Sequence, residues 1–388
     1  PGAARRAAAL GVAPAGPGGA ARVLRRARLH PLPAGLTGLV PGRLGPLLRS
    51  PALPLGARLR AAAEPLVRAR RADADESLEA FAVRRFGRGA WTGLIEPLLG
   101  GLYGADDGPI SLRATLPHLH AAERAGPLLR LASGPGAAPA PGGSPFRRPV
   151  GGMQALTDAL EAELVRLGVC IERDTAATRL ADRGTCYIAE TSTNALFEAE
   201  AVVVALPAPA AARLLAALDP AFAGPLGAVP MGSATAVVIG LPGASPEGLS
   251  GWLVPRAEAG AVQAVTVLSA KHPGAAPEGH VLARLFLRPG FAAQADDAAA
   301  RAAAREHLAR VLGLGAEPVF AAVHRWAGVL PRYTLGHPER LAALEAARAR
   351  HPRLVLTGAS LRGVGLPDVV ADAEAAAGFL LPPSAPSA

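Results

Sequence analysis

The chain has 388 residues, a formal net charge of +9 and an apolar half, which leaves room for two to three domains and excludes a disordered polypeptide. Its only cysteines, Cys170 and Cys186, exclude a disulfide framework and a CxxC metal site, so a reducing compartment is the default. No run of about eighteen apolar residues predicts a membrane-spanning helix.

Residues 1–71 carry thirteen arginines against one acid, Glu64. Such a segment suits an anionic lipid, a polycarboxylate ligand, a nucleic acid or a merely solvated surface. No aromatic interleaving or recognition motif favours nucleic acid. Arg5-Arg6 is not followed by an uninterrupted apolar core, so a secretory signal is not expected. Residues 1–45 are rich in Gly and Pro, with the densest basic patch from Arg22 to Pro33.

Residues 46–132 predict several short helices. One opens at Asp75-Glu76-Ser77, continues through LEAFAVRRF and can end at Gly87. The Pro- and Gly-interrupted apolar pieces before it suit an ordinary helical subdomain or one lying on a membrane surface with snorkelling arginines. Residues 133–146 (SGPGAAPAPGGSPF) predict a linker or mobile loop.

After Gly151-Gly152 comes a helix with Leu156, Leu160, Leu164 and Leu167 on one face. VCIER, CYIAE and EAEAVVVALP predict strands, and the last leads through a turn into a helix ending near Leu218. SATAVVIGL, GWLVP, VQAVTVLSA and HVLARLFLR predict antiparallel strands. The chain closes with an apolar strand (RLVLTG), the turn Gly363-Val364-Gly365 and a helix. That turn brings bare backbone near a ligand and aims free helix N–H groups at it, which suits a phosphate or a cofactor ring that gains negative charge. The order predicts an α/β (α+β) chain, a cofactor domain interrupted by a second sheet domain.

Hydrolytic and nucleotide chemistry find no support. His118-x-His120 reads as a surface pair, and there is no HExxH. Ser360 in GASLRG lacks the G-x-S-x-G spacing. Lys271, the only lysine, follows a strand rather than a Gly-rich loop. A redox cofactor that carries the chemistry itself fits better, with no dedicated catalytic side chain and no metal.

The segments RARLHPLPAGL (Arg26 to Leu36), DESLEAFAVRRFG (Asp75 to Gly87), EPLLGGLYGADDGPISLRATLP (Glu96 to Pro117) and GGMQALTDAL (Gly151 to Leu160) carry a family resemblance. So do AVVVALPAPAAARLL (Ala201 to Leu215), GWLVPR (Gly251 to Arg256), HRWAGVLPRYTLGH (His324 to His337) and GASLRGVGLPD (Gly358 to Asp368). In this order, across nearly the whole chain, they resemble the flavin-dependent porphyrinogen oxidases that act on protoporphyrinogen or coproporphyrinogen III. The family opens with a Rossmann strand, a G-x-G-x-x-G turn and an acidic residue. Nothing here matches: Gly16-Pro17-Gly18-Gly19 sits among Pro and Ala.

The resemblance implies an FAD-dependent amine-oxidase-like fold, N-terminally incomplete, with a β-sheet substrate domain and a helical membrane-facing subdomain. It divides the chain into residues 1–45 (a remnant of the FAD and substrate region), 46–132 (helical), 133–146 (linker), 147–218 (FAD-binding), 219–325 (substrate sheet) and 326–388 (closing FAD-binding part). It places FAD against Ala177, Trp326, Val364, Gly365 and Leu366. It places the porphyrinogen against Leu253 on a pyrrole ring, the Gly101 carbonyl on pyrrole N–H groups and Arg22 on a propionate. The implied activity is oxidation of a porphyrinogen to the porphyrin in haem biosynthesis, with O2 as acceptor, in the cytoplasm or at the inner face of the cell membrane. Coproporphyrinogen and protoporphyrinogen both stay open. So do a different flavin amine-oxidase or desaturase relative and a non-catalytic membrane-surface module.

Overall fold

The computed structural model describes residues 2–15, 18–34, 36–37, 40–41, 44–70, 74–103, 108–131, 148–272 and 274–380. The 133–146 linker expectation and residues 16–17 of the Gly-Pro-Gly-Gly run lie outside them. The chain divides into two compact units, residues 1–14, 148–231 and 331–388, and residues 15–147 and 232–330.

In chain order the strands used below are β1 (Ala20–Arg25), β2 (Arg28–Pro31), β3 (Ala177–Asp182), β4 (Tyr187–Thr191), β5 (Leu196–Ala199), β6 (Val202–Val204), β7 (Met231–Pro242), β8 (Leu249–Leu253), β9 (Val262–Val267), β10 (His280–Leu287), β11 (Phe320–Pro331) and β12 (Leu354–Leu356). The helices are α1 (Leu78–Phe86), α2 (Glu96–Tyr103), α3 (Gln154–Arg166), α4 (Ala208–Leu215), α5 (Asp297–Leu312), α6 (His337–Arg348) and α7 (Leu366–Leu380).

In the first unit, β6 and β12 pair in parallel, Val202 against Leu354 and Val204 against Leu356. Parallel pairs are buried structures that need helical cover. Here Val204, Leu354 and Leu356 share a core with Ala208, Leu215, Phe222 and Leu344. Leu180 and Tyr187 bring the antiparallel β3-β4-β5 sheet into the same core. The predicted strand VCIER is not formed: residues 169–173 take no strand pairing, and Val169 and Ile171 are exposed. A strand needs a paired strand for its backbone groups, and here the Val169 N–H is taken by the Leu164 carbonyl at the end of α3 instead. The leucine face expected on α3 exists, but Leu160, Leu164 and Leu167 are exposed and no α3 residue is buried.

In the second unit a seven-stranded sheet runs β11-β7-β10-β9-β8-β1-β2. Period-two alternation sets its faces. Along β10, Val281, Ala283, Leu285 and Leu287 are buried, while His280, Leu282, Arg284 and Phe286 are only half-buried. The buried set packs with Ala300, Ala304 and Leu308 of α5. Asp296 caps that helix by accepting the Ala299 N–H at 2.7 Å, and Gly313 ends it at φ 72°.

Two features of this sheet escape the sequence. β1 joins β8 in parallel, hidden in a Gly/Pro-rich stretch that reads as irregular. β11 extends to Pro331, so the expected boundary between residues 325 and 326 falls inside a strand.

The second unit also holds the helical part, whose core includes Leu47, Leu53, Phe81, Phe86, Leu94, Ile95 and Leu112. As expected, Ser77 caps α1, its Oγ accepting the Ala80 N–H at 3.1 Å, and Gly87 ends it at φ 88°. Among the described residues, no helix is long and apolar enough to cross a membrane.

Candidate functional site

The closing turn lies in the first unit, between β12 and α7. Its backbone is tied down from behind. The Asp372 carboxylate accepts the Thr357 hydroxyl at 2.6 Å and the Gly358 N–H at 3.1 Å, and pairs with Arg362 at 3.2 Å. The Tyr333 hydroxyl donates to the Ala359 carbonyl at 2.6 Å and accepts the Gly363 N–H at 2.7 Å. The Tyr333 ring stacks 4.1 Å from the buried His337 ring, whose Nε2 donates to the Leu361 carbonyl at 2.8 Å. Burial, opposed by that hydrogen bond and helped by the Arg340 charge, holds His337 below the usual histidine range, so it is neutral. The Ser360 Oγ accepts the Ala208 N–H at 3.0 Å, which makes it a cap for α4 rather than a nucleophile.

Gly363 sits at φ 137°, and a Cβ there would collide with Asp368. The turn therefore requires glycine at that position. It leaves Val364 and Gly365 half-buried and Leu366 exposed, directly at the start of α7. Pro367 has no N–H, and the Asp368 and Val369 N–H groups donate to the Gly365 carbonyl at 2.9 and 3.0 Å, so what the helix start offers a ligand is chiefly its dipole, which favours negative charge. Val364, Gly365 and Leu366 thus form one short, partly exposed edge at the start of α7. Ala177, in the same unit, is exposed at the first position of β3, opposite Thr191. Trp326 belongs to the second unit, 42 % exposed on β11 and stacked 5.8 Å from His324.

The remaining candidates also lie in the second unit. Gly101 is in the last turn of α2, where carbonyls lose their intrahelical partners. Leu253 stands at the end of β8. Its row across the sheet continues to Ala264 and Phe286, and the neighbouring row is Gly251, Thr266 and Arg284. Arg22 pairs with Trp252, and Leu253 with Val23. Trp252, Val254 and Leu24 belong to the core under α5. Alternation therefore puts Arg22 on the α5 face and Leu253 on the other face.

Arg284 escaped sequence reading, and Lys271 figures there only as a nucleotide-loop lysine. Arg284 lies over the Phe286 ring, 4.9 Å from its centroid, and its Nε is buried without a hydrogen-bond partner. Burial lowers its pKa; burial and then the Arg284 charge lower that of Lys271. The signal was an arginine inside the apolar run HVLARLFL, in phase with Leu282 and Phe286. No group of His, Cys, Asp and Glu able to hold a metal occurs among the described residues, and His118-x-His120 forms none.

Known proteins are similar to this chain in sequence and fold. The flavin containing amine oxidoreductase family matches residues 13–381. A coproporphyrinogen III oxidase of Propionibacterium freudenreichii subsp. freudenreichii is 33% identical over 92% of this chain and 75% of its own. That of Bacillus subtilis (strain 168) is 32% identical over 92% of this chain and 78% of its own. A crystal structure from Exiguobacterium sp. 255-15, named for protoporphyrinogen oxidase, superposes with a TM-score of 0.78 at 26% identity, covering 96% of this chain and 84% of that one. Putrescine oxidase, at 15% identity and a TM-score of 0.63, shares the fold. The chain belongs to the flavin containing amine oxidoreductases, as an oxidoreductase of the porphyrinogen oxidase kind.

Proposed function

We propose that the chain takes part in oxygen-dependent, FAD-mediated oxidation of coproporphyrinogen III or protoporphyrinogen IX to the porphyrin. The observation that carries this is the row of Leu253, Ala264 and Phe286 on the sheet face away from α5, an apolar strip suited to pyrrole rings. The Gly101 carbonyl then serves as acceptor for pyrrole N–H groups, and Trp326 as a flat wall. In the first unit, the Val364 to Leu366 edge and Ala177 hold the flavin, with Tyr333 and Asp372 positioning the turn. FAD supplies the two-electron oxidant when bound, and O2 takes the electrons onward as peroxide. No side chain here acts as a dedicated base, since conjugation acidifies the remaining pyrrole protons as oxidation proceeds. The same family setting favours action at the cytoplasmic side, with any membrane contact peripheral.

The test is a fluorescence assay with FAD supplied, following non-fluorescent porphyrinogen as it becomes fluorescent porphyrin. Turnover above spontaneous oxidation is expected. Flavin-loaded protein that gives no acceleration with either porphyrinogen overturns the proposal. Gly101→Leu is expected to abolish turnover with bound flavin retained, and unchanged turnover removes Gly101 from the site.

A further inference from the structure

We propose that Arg284 and Lys271 form a carboxylate-binding site on the Leu253 face of the sheet, and that this site selects the carboxylate-richer porphyrinogen. The inference rests on the porphyrinogen proposal above, because it takes the Leu253 face as the substrate face.

Three observations carry the inference. Arg284 occupies the row next to Leu253, separated from Gly251 by Thr266. Its guanidinium lies along the face over Phe286, which belongs to the Leu253 row itself. An arginine in this position reaches the rim of any flat ligand resting on Leu253, Ala264 and Phe286. Secondly, neither Arg284 nor Lys271 pairs with a carboxylate among the described residues, whereas Arg84 and Arg85, whose buried Nε atoms lack a hydrogen-bond partner just as that of Arg284 does, both hold carboxylates. Thirdly, the two cations act on each other: the Arg284 charge, added to burial, depresses Lys271. Two half-buried cations near enough to repel are costly, and a ligand carboxylate relieves both the repulsion and the lost hydration. The planar guanidinium fork matches a carboxylate in two-point geometry, and the ammonium adds a point charge.

The chemical consequence is selectivity. Coproporphyrinogen carries four propionates, whereas protoporphyrinogen has vinyl groups in place of two of them. A cation pair that finds a propionate is satisfied; one that faces a vinyl group stays desolvated and unpaired. Sites built to engage a polar group reject the analogue that lacks it far more strongly than apolar pockets discriminate by size. Arg22 stands on the opposite face from Leu253 and does not supply this contact.

Binding of the stable porphyrins tests this without depending on bound flavin. Fluorescence titrations would compare coproporphyrin III, its tetramethyl ester and protoporphyrin IX on the full chain, Arg284→Met, Lys271→Met and Arg284→Lys. Arg284→Met is expected to weaken coproporphyrin III about tenfold or more. Protoporphyrin IX is expected to change by less than about threefold, and the ester hardly at all. Arg284→Lys should recover part of the loss. If Arg284→Met does not fold, by circular dichroism, Lys271→Met and Arg284→Lys are expected to show the same selective loss at smaller size. Equal weakening of all three probes, or none in folded variants, overturns the carboxylate site and leaves the porphyrinogen proposal standing. A full chain that binds no tetrapyrrole overturns both.

Discussion

Two regions of the second unit bury arginine in opposite ways. In the helical part, Arg85 is 1% exposed and Glu64 is fully buried, and they pair directly. Glu64 also accepts the Leu128 N–H at 3.0 Å and the Leu129 N–H at 3.1 Å, while Arg85 donates to the Val67 carbonyl at 2.9 Å. Arg84 bridges Glu123 at 2.6 Å and Glu76 at 2.5 Å. Burial is the largest single influence on Glu123 and opposes its charge, but the Arg84 hydrogen bond and charge, the Arg70 N–H and the Arg85 charge together hold that carboxyl below its usual range. On the sheet, Arg284 lies over an aromatic ring and repels Lys271, with no carboxylate partner among the described residues. The helical network gives each of its arginines a carboxylate and ties helices together, although the Arg84 and Arg85 Nε atoms stay unpartnered as the Arg284 Nε does. The proposed site gives the sheet cations a carboxylate brought by the substrate.

The strongest way to break this contrast is to cut the carboxylate-paired network. Arg85→Met leaves the fully buried Glu64 without its countercharge. Removing one partner of a buried ion pair costs about 3–5 kcal/mol. Urea unfolding at neutral pH should show a loss of that size with native-like m. A change below about 1 kcal/mol would mean the network adds little to the fold.

A smaller effect comes from pH, through a buried group that is paired but must stay neutral. The Trp252 indole N–H donates to His307 Nε2 at 3.0 Å. Burial first, then the charges of Arg310 and Arg288, pull His307 from 6.5 to about 4. The folded value lies below the unfolded one, so the unfolded chain takes up the proton first. Stability from this group is complete above about pH 6.5 and lost as pH falls toward 4, by about 3 kcal/mol at most. His307→Phe should flatten the urea midpoint across that window. A mutant with the same acid slope as the full chain would reassign the slope to other groups.

Smaller again is the neutral tether of the closing turn. Tyr333→Phe removes the hydroxyl that joins the Ala359 carbonyl to the Gly363 N–H. Unmade buried hydrogen bonds cost about 1–3 kcal/mol. Weaker flavin retention should accompany that loss in stability. Normal flavin content with reduced stability would confine Tyr333 to a folding role.

The sequence showed these regions unequally, for physical reasons. Short periodic signals with caps were legible: Asp75-Glu76-Ser77 and Gly87 bracket α1 as expected, and GVG opens onto α7. The antiparallel strands carried their alternation in the letters. The parallel union of β1 with β8 was not legible, because the pairing is long-range and AARVLR has too few apolar residues to stand out. VCIER misled because an apolar β-rich run is only a strand when something pairs with it. Arg22 drew attention through the crowd of arginines around it. Arg284 did not, because its meaning depends on which carboxylates are absent around it, and that is a property of three dimensions.

The finest test of the comparison is the stability of Arg284→Met. Removing an arginine from a carboxylate-paired network should be ruinous, whereas removing one from a site without a carboxylate should not. The guanidinium has no carboxylate to abandon, and burial already disfavours its charge. Methionine keeps the aliphatic stem that covers the face near Phe286. Urea unfolding of Arg284→Met without ligand is therefore expected to differ from the full chain by less than about 1 kcal/mol, with either sign acceptable and a slight gain favoured. The gain arises because a half-buried, uncompensated charge is replaced by an apolar group of similar length. Added coproporphyrin III should then stabilise the full chain more than the variant, reversing their order, since a ligand that binds only the folded state adds stability in proportion to its affinity. A ligand-free loss as large as that of Arg85→Met would show that Arg284 is a structural arginine after all, and the contrast between the two regions would collapse.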